Sequence, residues 1–315
     1  QSIIQRVILC SSYLMGCRPD FNLTDPCQQV IAQLAPDESI SVDEKIRFVI
    51  NRNFKQVLLL ITSDVNERNE MCWEYDEPGM YAFSILVRLA DGNVIADNFN
   101  DLAPIFETHL HTPLQKTSRN DDEMHFQRKI FFMGLLQAVL SKDSLEFTKL
   151  HNFIGKLIQT AIISNIVWRS GAPASSLRKI STAVLFTLVS SGGLSQLALC
   201  RCAPTLLPTL NSSISDDDSS TREISMATMT KLLESLPGKL GSEAISKICP
   251  ELLKALDEDS NENVRRLSCD SLQCILKMNQ DVSIFESIVK SFLLHIDDDS
   301  PLQEKLESIL LDEVY

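Results

Sequence analysis

The chain of 315 residues carries 29 Lys and Arg against 42 Asp and Glu, a net charge of −13 with a pI near 4.9. That balance repels phosphate backbones and anionic membrane leaflets, so neither nucleic acid nor membrane is expected as a partner. Hydrophobic residues at 44% support a packed core rather than disorder, and ten glycines with 6% aromatics favour helices over a sandwich or barrel.

From the N-terminus, Ile3 to Met15 is apolar with one arginine and lacks the charged, hydrophobic and cleavage order of a signal peptide. The chain opens on Gln1, which predicts a piece of a longer protein whose first helix turns an apolar face towards further repeats. Ser41 with Glu44 forms a capping box for a helix running through Ile61. Apolar runs such as Val57 to Ile61 are too short to span a bilayer. Residues 66 to 79 form a polar connector holding Trp73 and Tyr75, and Pro78 starts the next helix. Phe126 to Leu140 and Leu150 to Ala161 carry helical apolar spacing and are predicted as neighbours.

The second half repeats itself. Arg178, Arg222 and Arg265 stand 44 and 43 residues apart, and Lys305 follows 40 residues on. Ser181, Ser225, Ser268 and Ser308 each come three residues after the cation, and Leu188, Leu232 and Ile275 ten residues after the arginines. A period of this size predicts an all-α solenoid, about seven helix pairs in all, in which no pair buries its apolar face alone. Residues 1–118 are expected as irregular N-terminal repeats and 119–315 as regular ones, in a single array. The unit from Ser242 to Gln280 is the clearest: Ile245, Ile248, Leu252 and Leu256 define one stripe, and Val264, Leu267, Leu272 and Ile275 the next. Ser220 with Glu223 and Ser300 with Gln303 are further capping boxes, while Gly192-Gly193 and Gly238 mark helix ends.

Three acidic turns fall at nearly repeat spacing: Asp216-Asp217-Asp218, Asp257 and Asp259, and Asp297-Asp298-Asp299. Stacked, they form either an acidic ridge that steers basic partner segments or solvated turns that cap the following helices. No glycine-containing EF-hand spacing accompanies the aspartates, which speaks against a bound cation. His109-Leu-His111, with His125 the nearest third ligand, is better read as a helix-end pair, because residues two apart on a helix point in different directions. Nine cysteines form no C-x-x-C pair, and several sit on predicted buried faces, as expected of free thiols in a reducing compartment. No nucleophile–base–oxyanion set, phosphate loop or zinc helix is present, so neither catalysis, a cofactor nor a small-molecule substrate is expected.

Asp259-x-x-x-x-Val264-Arg265 resembles the core of the HEAT repeat. That resemblance implies an aspartate in the turn within each helix pair and a ladder in which Arg178, Arg222 and Arg265 reach aspartates of adjacent repeats. More specifically, Asn165-Ile-Val-Trp168-Arg-Ser-Gly171 followed by Ser176-Leu-Arg178, with Ile248-Cys-Pro250 to Asp257 and Phe292 to Asp298, resembles the C-terminal half of the HEAT-repeat axonemal dynein assembly factors, the dynein axonemal assembly factor five family. Trp-x-x-Gly before a repeat helix is the most distinctive element. The likeness implies a non-catalytic cytoplasmic scaffold that assists folding or preassembly of dynein arms, with axonemal dynein chains, chaperones and other assembly factors as partners. The alternative is a HEAT-type transport receptor or a phosphatase or kinase regulatory scaffold.

Overall fold

The computed structural model describes residues 3–17, 23–67, 73–111, 119–236, 240–257, 261–278, 281–296 and 301–314. Among them every regular element is a helix, and the architecture is an α-solenoid of stacked helix pairs. The chain divides into two compact units, Gln1–Ala161 and Ile162–Tyr315.

The first unit contains α1 (Ile3–Cys17), α2 (Thr24–Ala32), α3 (Val42–Glu67), α4 (Pro78–Leu89), α5 (Gly92–Asp97), α6 (Phe99–His111), α7 (Arg119–Leu140) and α8 (Phe147–Leu157). Helix α4 packs between α1 and α7 in one layer, α3 pairs with α4 and α6 with α7, and α8 lies against α6. The predicted box at the start of α3 is formed: the Ser41 N–H donates to Glu44 Oε2 at 2.9 Å, and the Glu44 N–H to Ser41 Oγ at 3.3 Å. Two orphan donors of the first turn are satisfied in this way.

The core of this unit is aromatic. Trp73, from the connector, inserts among Phe83 of α4, His109 of α6 and Phe132 of α7. The His109 imidazole stacks on Phe132 at 3.9 Å between centroids and 7°, and on Trp73 at 5.2 Å and 12°. Gly79 makes room for the indole, since a Cβ there would stand 2.5 Å from Trp73 Nε1. The connector read as a polar loop is thus pinned by a buried tryptophan, and Arg128 of α7 donates to the Trp73 carbonyl at 3.2 Å. His109 and His111 also part company. His109 is buried, whereas His111 is exposed with Nδ1 2.9 Å from the Thr160 carbonyl oxygen.

In the second unit, α9 (Ile163–Ile166), α11 (Gln196–Ser213), α13 (Ser242–Leu256) and α15 (Val282–Leu294) form one layer. The other consists of α10 (Ala172–Ser190), α12 (Ser219–Ser235), α14 (Glu262–Met278) and α16 (Pro301–Val314). Each helix contacts its pair mate and the next member of its own layer. Helix α9 is short because the stretch from Leu150 to Ala161, expected as one helix, is interrupted: a π-helical turn over Ile158–Ile162 separates α8 from α9. Internal prolines Pro204 and Pro208 in α11 and Pro250 in α13 sit on exposed faces of the first layer, where a missing N–H bends a helix without orphaning a buried carbonyl.

The sequence echo becomes a packing rule here. Ser181, Ser225 and Ser268 are fully buried, as are Leu188, Leu232 and Ile275. A small hydroxyl side chain lets the paired helices approach, and Ser268 Oγ donates across the pair to the Leu252 carbonyl at 2.5 Å. Ser308, the fourth member, is exposed and plays no such part. Ser220 does not cap α12. Asp218, two residues earlier, takes that role by accepting from the Thr221 N–H at 2.8 Å, and Ser220 lies within the helix. Ser300 and Gly238 lie outside the described residues. Gly192, in the left-handed region at φ 69°, follows the end of α10.

Candidate protein-binding site

The candidate edge lies in the second unit, where the turns within helix pairs follow one another. Its centre is the turn between α11 and α12. Arg178, near the start of α10, reaches this turn of the next repeat and grips Asp216 with two parallel bonds, Nε to Oδ2 at 2.7 Å and Nη2 to Oδ1 at 3.1 Å. Both side chains are buried, 4% and 3% exposed, so this is a bidentate ion pair shielded from water. The third guanidinium contact is Nη1 to the Arg169 carbonyl at 2.6 Å, which closes the loop before α10. Gly171 supplies that loop's backbone turn at φ 103°, a conformation that disfavours any side chain.

Trp168 covers the pair. Its ring lies over the Arg178 guanidinium, 5.9 Å from centroid to Cζ, and its Nε1–H donates to Asp217 Oδ2 at 3.3 Å. More than half of the Trp168 side chain, 56%, still faces solvent, next to Val167 at 54%. The Trp-x-x-Gly segment therefore has a local explanation: the tryptophan roofs an inter-repeat ion pair, and the glycine turns the chain into α10.

The three aspartates of this turn have different fates. Asp216 was expected on an acidic ridge, but it is buried and its carboxylate is committed to Arg178 and to the Asp218 N–H at 3.0 Å. Its carboxylate is occupied within the fold, although the residue still lines the cleft beside this turn. Asp218 is half-buried. Burial pushes its pKa up, and the hydroxyl and N–H of Thr221, with Lys179 and Arg222, outweigh that and hold it below its ordinary value. Asp217 is exposed. A cleft of about 370 Å³ beside it has Ile214, Ala255 and Val264 as its floor, with Asp217, Glu251 and Lys254 around it.

The other two arginines each bond to the turn before their own helix. Arg222 Nη1 donates to the Asp216 carbonyl at 2.9 Å and to the Asp217 carbonyl at 3.3 Å. Arg265 Nε donates to the Leu256 carbonyl at 2.9 Å, the last residue of α13, where a cation also complements the helix dipole. Asp257 is exposed and joined to His295, whose Nε2 stands 2.7 Å from Oδ1. With Arg265 Nη2 at 3.5 Å from Nδ1, the imidazole, from the turn of the next helix pair, bridges a guanidinium and a carboxylate of the α13–α14 pair. No regularity in the sequence pointed to His295. Asp259, Asp297, Asp298 and Asp299 lie outside the described residues.

Among the described residues no group of three His, Cys, Asp or Glu side chains could hold a metal ion, and no helix is long and apolar enough to cross a membrane. The described cysteines are unpaired. Burial pushes the Cys249 and Cys269 thiols up to about 11 and about 12, far from the range of reactive thiolates.

No family model matches the chain. It resembles two solved helical-repeat structures at fold level. One is a designed armadillo repeat protein in complex with the peptide (KR)4, with TM-score 0.50 and 11% identity over 91% of this chain and 99% of that one. The other is Cex1p, with TM-score 0.52 and 15% identity over 96% of this chain and 53% of that one. Among curated proteins it is 29% identical over 207 residues to dynein axonemal assembly factor 5 of Xenopus laevis, covering 62% of this chain and 24% of that protein. To the Mus musculus protein of the same name it is 26% identical over 211 residues, 64% of this chain and 25% of that one. To that of Homo sapiens it is 25% identical over 300 residues, 91% and 33%. The chain therefore spans between a quarter and a third of the length of the curated relatives it matches. The resemblance carried by Trp168-x-x-Gly171 and the repeat helices is borne out: this helical-repeat chain is similar in sequence to dynein axonemal assembly factor 5 of three vertebrates.

Proposed function

We propose that this chain is a non-catalytic, cytoplasmic scaffold that assists the assembly of axonemal dynein arms by binding their chains, alone or with chaperones and other assembly factors. The similarity to relatives named as dynein axonemal assembly factor 5 is the observation that carries this reading. The repeat fold supports it physically, because a stack of helix pairs offers a pre-ordered surface that loses little entropy on binding. Within the second unit, the binding edge is the series of acidic turns, with Asp217 and Asp257 as its described exposed members; Asp259, Asp297, Asp298 and Asp299 follow in the sequence. The occupant is a basic segment, steered by charge in a chain of net −13.

Capture of the chain's partners from cells building cilia, identified by mass spectrometry, tests the reading. Dynein arm chains with chaperones are expected; transport cargo or phosphatase subunits without dynein would overturn it. The edge is tested by changing Asp217, Asp257, Asp259, Asp298 and Asp299 to lysine together. Asp216 stays in place because its reversal would set two buried cations against each other. Loss of the captured dynein chains with an unchanged helical spectrum is expected, whereas full retention would reduce the ridge to solvated turns.

A further inference from the structure

A second site lies in the first unit, away from the acidic turns. A cleft of about 500 Å³ opens between the end of α4, the start of α5 and the turn after α7. Three cations line it: Arg47 of α3, Arg88 of α4 and Lys142. Several cations elsewhere in this unit find carboxylates: Lys55 pairs with Asp101, Lys149 with Asp97 and Glu146, and Lys156 with Glu107. Those lining the cleft do not. Among the described residues neither Arg47 nor Arg88 has a carboxylate within ion-pair distance, and the one side-chain bond of Arg88 runs from Nε to Ser84 Oγ at 3.2 Å, leaving both terminal nitrogens open.

Two acids, Asp91 and Asp143, line the same cleft, so its lining carries three cations against two carboxylates. Asp91 accepts from Asn51 Nδ2 at 2.6 Å, and Asp143 is exposed without pairing with any of the three cations. Lys142 is fixed in place by donating to the Arg88 carbonyl at 2.9 Å and the Ala90 carbonyl at 2.7 Å, which closes the end of α4. Burial holds its pKa below the ordinary lysine value; Asp91, the next largest influence, works the other way, and the like charges of Arg47 and Arg88 lower it further. Ser144 adds a donor, because its Oγ accepts from the Gly92 N–H at 2.9 Å and its own proton remains to be given. Two open guanidinium forks, a third cation and a hydroxyl donor suit a tetrahedral dianion better than a carboxylate, which carries half the charge.

We propose that this cleft binds a phosphate monoester, with the group held between the Arg47 and Arg88 guanidiniums and Ser144 as an additional donor. The same chemistry is presented by a phosphorylated serine of a protein segment and by a soluble phosphate. Titrations of the whole chain with inorganic phosphate, with a Gly-Gly-phosphoserine-Gly-Gly peptide and with its unphosphorylated counterpart, followed by amide NMR shifts, separate the two. Shifts confined to residues around Arg88–Asn93 and Ser141–Ser144 are expected with the phosphorylated probe and not with its counterpart. Stronger binding of the peptide than of inorganic phosphate assigns the site to a modified partner segment; the reverse assigns it to a soluble phosphate. Arg47→Ala with Arg88→Ala should weaken binding about tenfold or more, since each removes a charge-assisted fork, while Arg52→Ala on the same helix should leave it unchanged. Both lining arginines are exposed, so the double variant keeps its melting temperature. Absence of shifts at millimolar phosphate with either probe, or equal affinity of the double variant and Arg52→Ala, overturns the proposal.

Discussion

The first unit is held by rings gathered around Trp73, whereas the second is held by a repeated set of aliphatics, serines and threonines. In the first, Phe83 and Phe132 meet the indole, Phe132 stacks on the His109 imidazole, and Phe106 packs edge-on against both phenylalanines, with nothing periodic about them. In the second, three successive repeats use the same positions in the same way: a buried serine where paired helices close in and a large aliphatic two turns further on, with hydroxyl contacts joining α12 to α14. Thr230 of α12, for example, meets Ser271 of α14 at 2.8 Å and also donates to the Leu267 carbonyl at 3.3 Å. Periodic packing spreads stability over nearest neighbours, while a ring cluster concentrates it on a few side chains.

The most damaging way to break the periodic side is to interrupt one of its helices. Leu272 is fully buried in α14, which packs on α12, α13 and α16. Leu272→Pro removes a helix bond, strains the preceding turn and empties a core position, for a combined cost of about 5 kcal/mol or more. Hydrogen exchange should show protection lost across α12 to α16 while the amides of α4 and α7 stay protected. A melting curve and exchange pattern like those of the parent would sink the nearest-neighbour account.

The matching test on the aromatic side is Trp73→Ala, at about 3–5 kcal/mol. It empties a site flanked by Phe83, His109 and Phe132, and it releases the connector that Arg128 holds by the Trp73 carbonyl. Exchange should now rise in α4, α6 and α7 and leave α12 and α14 unchanged. Gly79→Ala offers a milder version, because the added methyl would meet the indole nitrogen.

The same contrast explains what could be read in advance. Ser181, Leu188 and their counterparts were visible because selection of small and large residues at fixed steps leaves a period, and the capping box of Ser41 and Glu44 is local chemistry. Trp73 and His109 were not, because 36 residues separate them and no pattern links a connector tryptophan to a histidine on α6. The acidic turns were visible as charges but not as environments. Asp216 and Asp217 are adjacent and identical in type, and only the approach of Arg178 and Trp168 from the previous repeat buries one and leaves the other in water. Where two capping residues compete, as Asp218 and Ser220 do, sequence spacing favoured the box and the folded turn chose the carboxylate.

That buried pair can be probed directly. Arg178→Ala strands the Asp216 carboxylate without its guanidinium and should cost about 3–5 kcal/mol. The double change Arg178→Met with Asp216→Leu should recover most of the loss, because it removes both desolvated charges at once. A double variant as unstable as Arg178→Ala alone would mean that the contact of Arg178 with the Arg169 carbonyl, which closes the loop before α10, matters more for stability than the ion pair.

Acid gives the finest separation of the two units. Burial, and after it the charge of Arg128, lowers the His109 pKa from 6.5 to about 3. The folded imidazole is neutral and refuses a proton that the unfolded chain accepts, so its contribution is fully present above about pH 6.5 and is lost as pH falls towards 3. One proton's difference amounts to about 1.4 kcal/mol per pH unit, or about 2 kcal/mol by pH 5. Carboxylates such as Asp218 and Asp281 are held below their ordinary value, away from the window between pH 7 and 5. Opening free energies from hydrogen exchange should therefore fall between pH 7 and 5 for amides of α4, α6 and α7, and stay level for those of α12 and α14. His109→Phe keeps the stack on Phe132 and removes the titration, so the slope in the first unit should vanish. A slope that persists in that variant, or one shared by both units, would place the acid sensitivity outside the ring cluster.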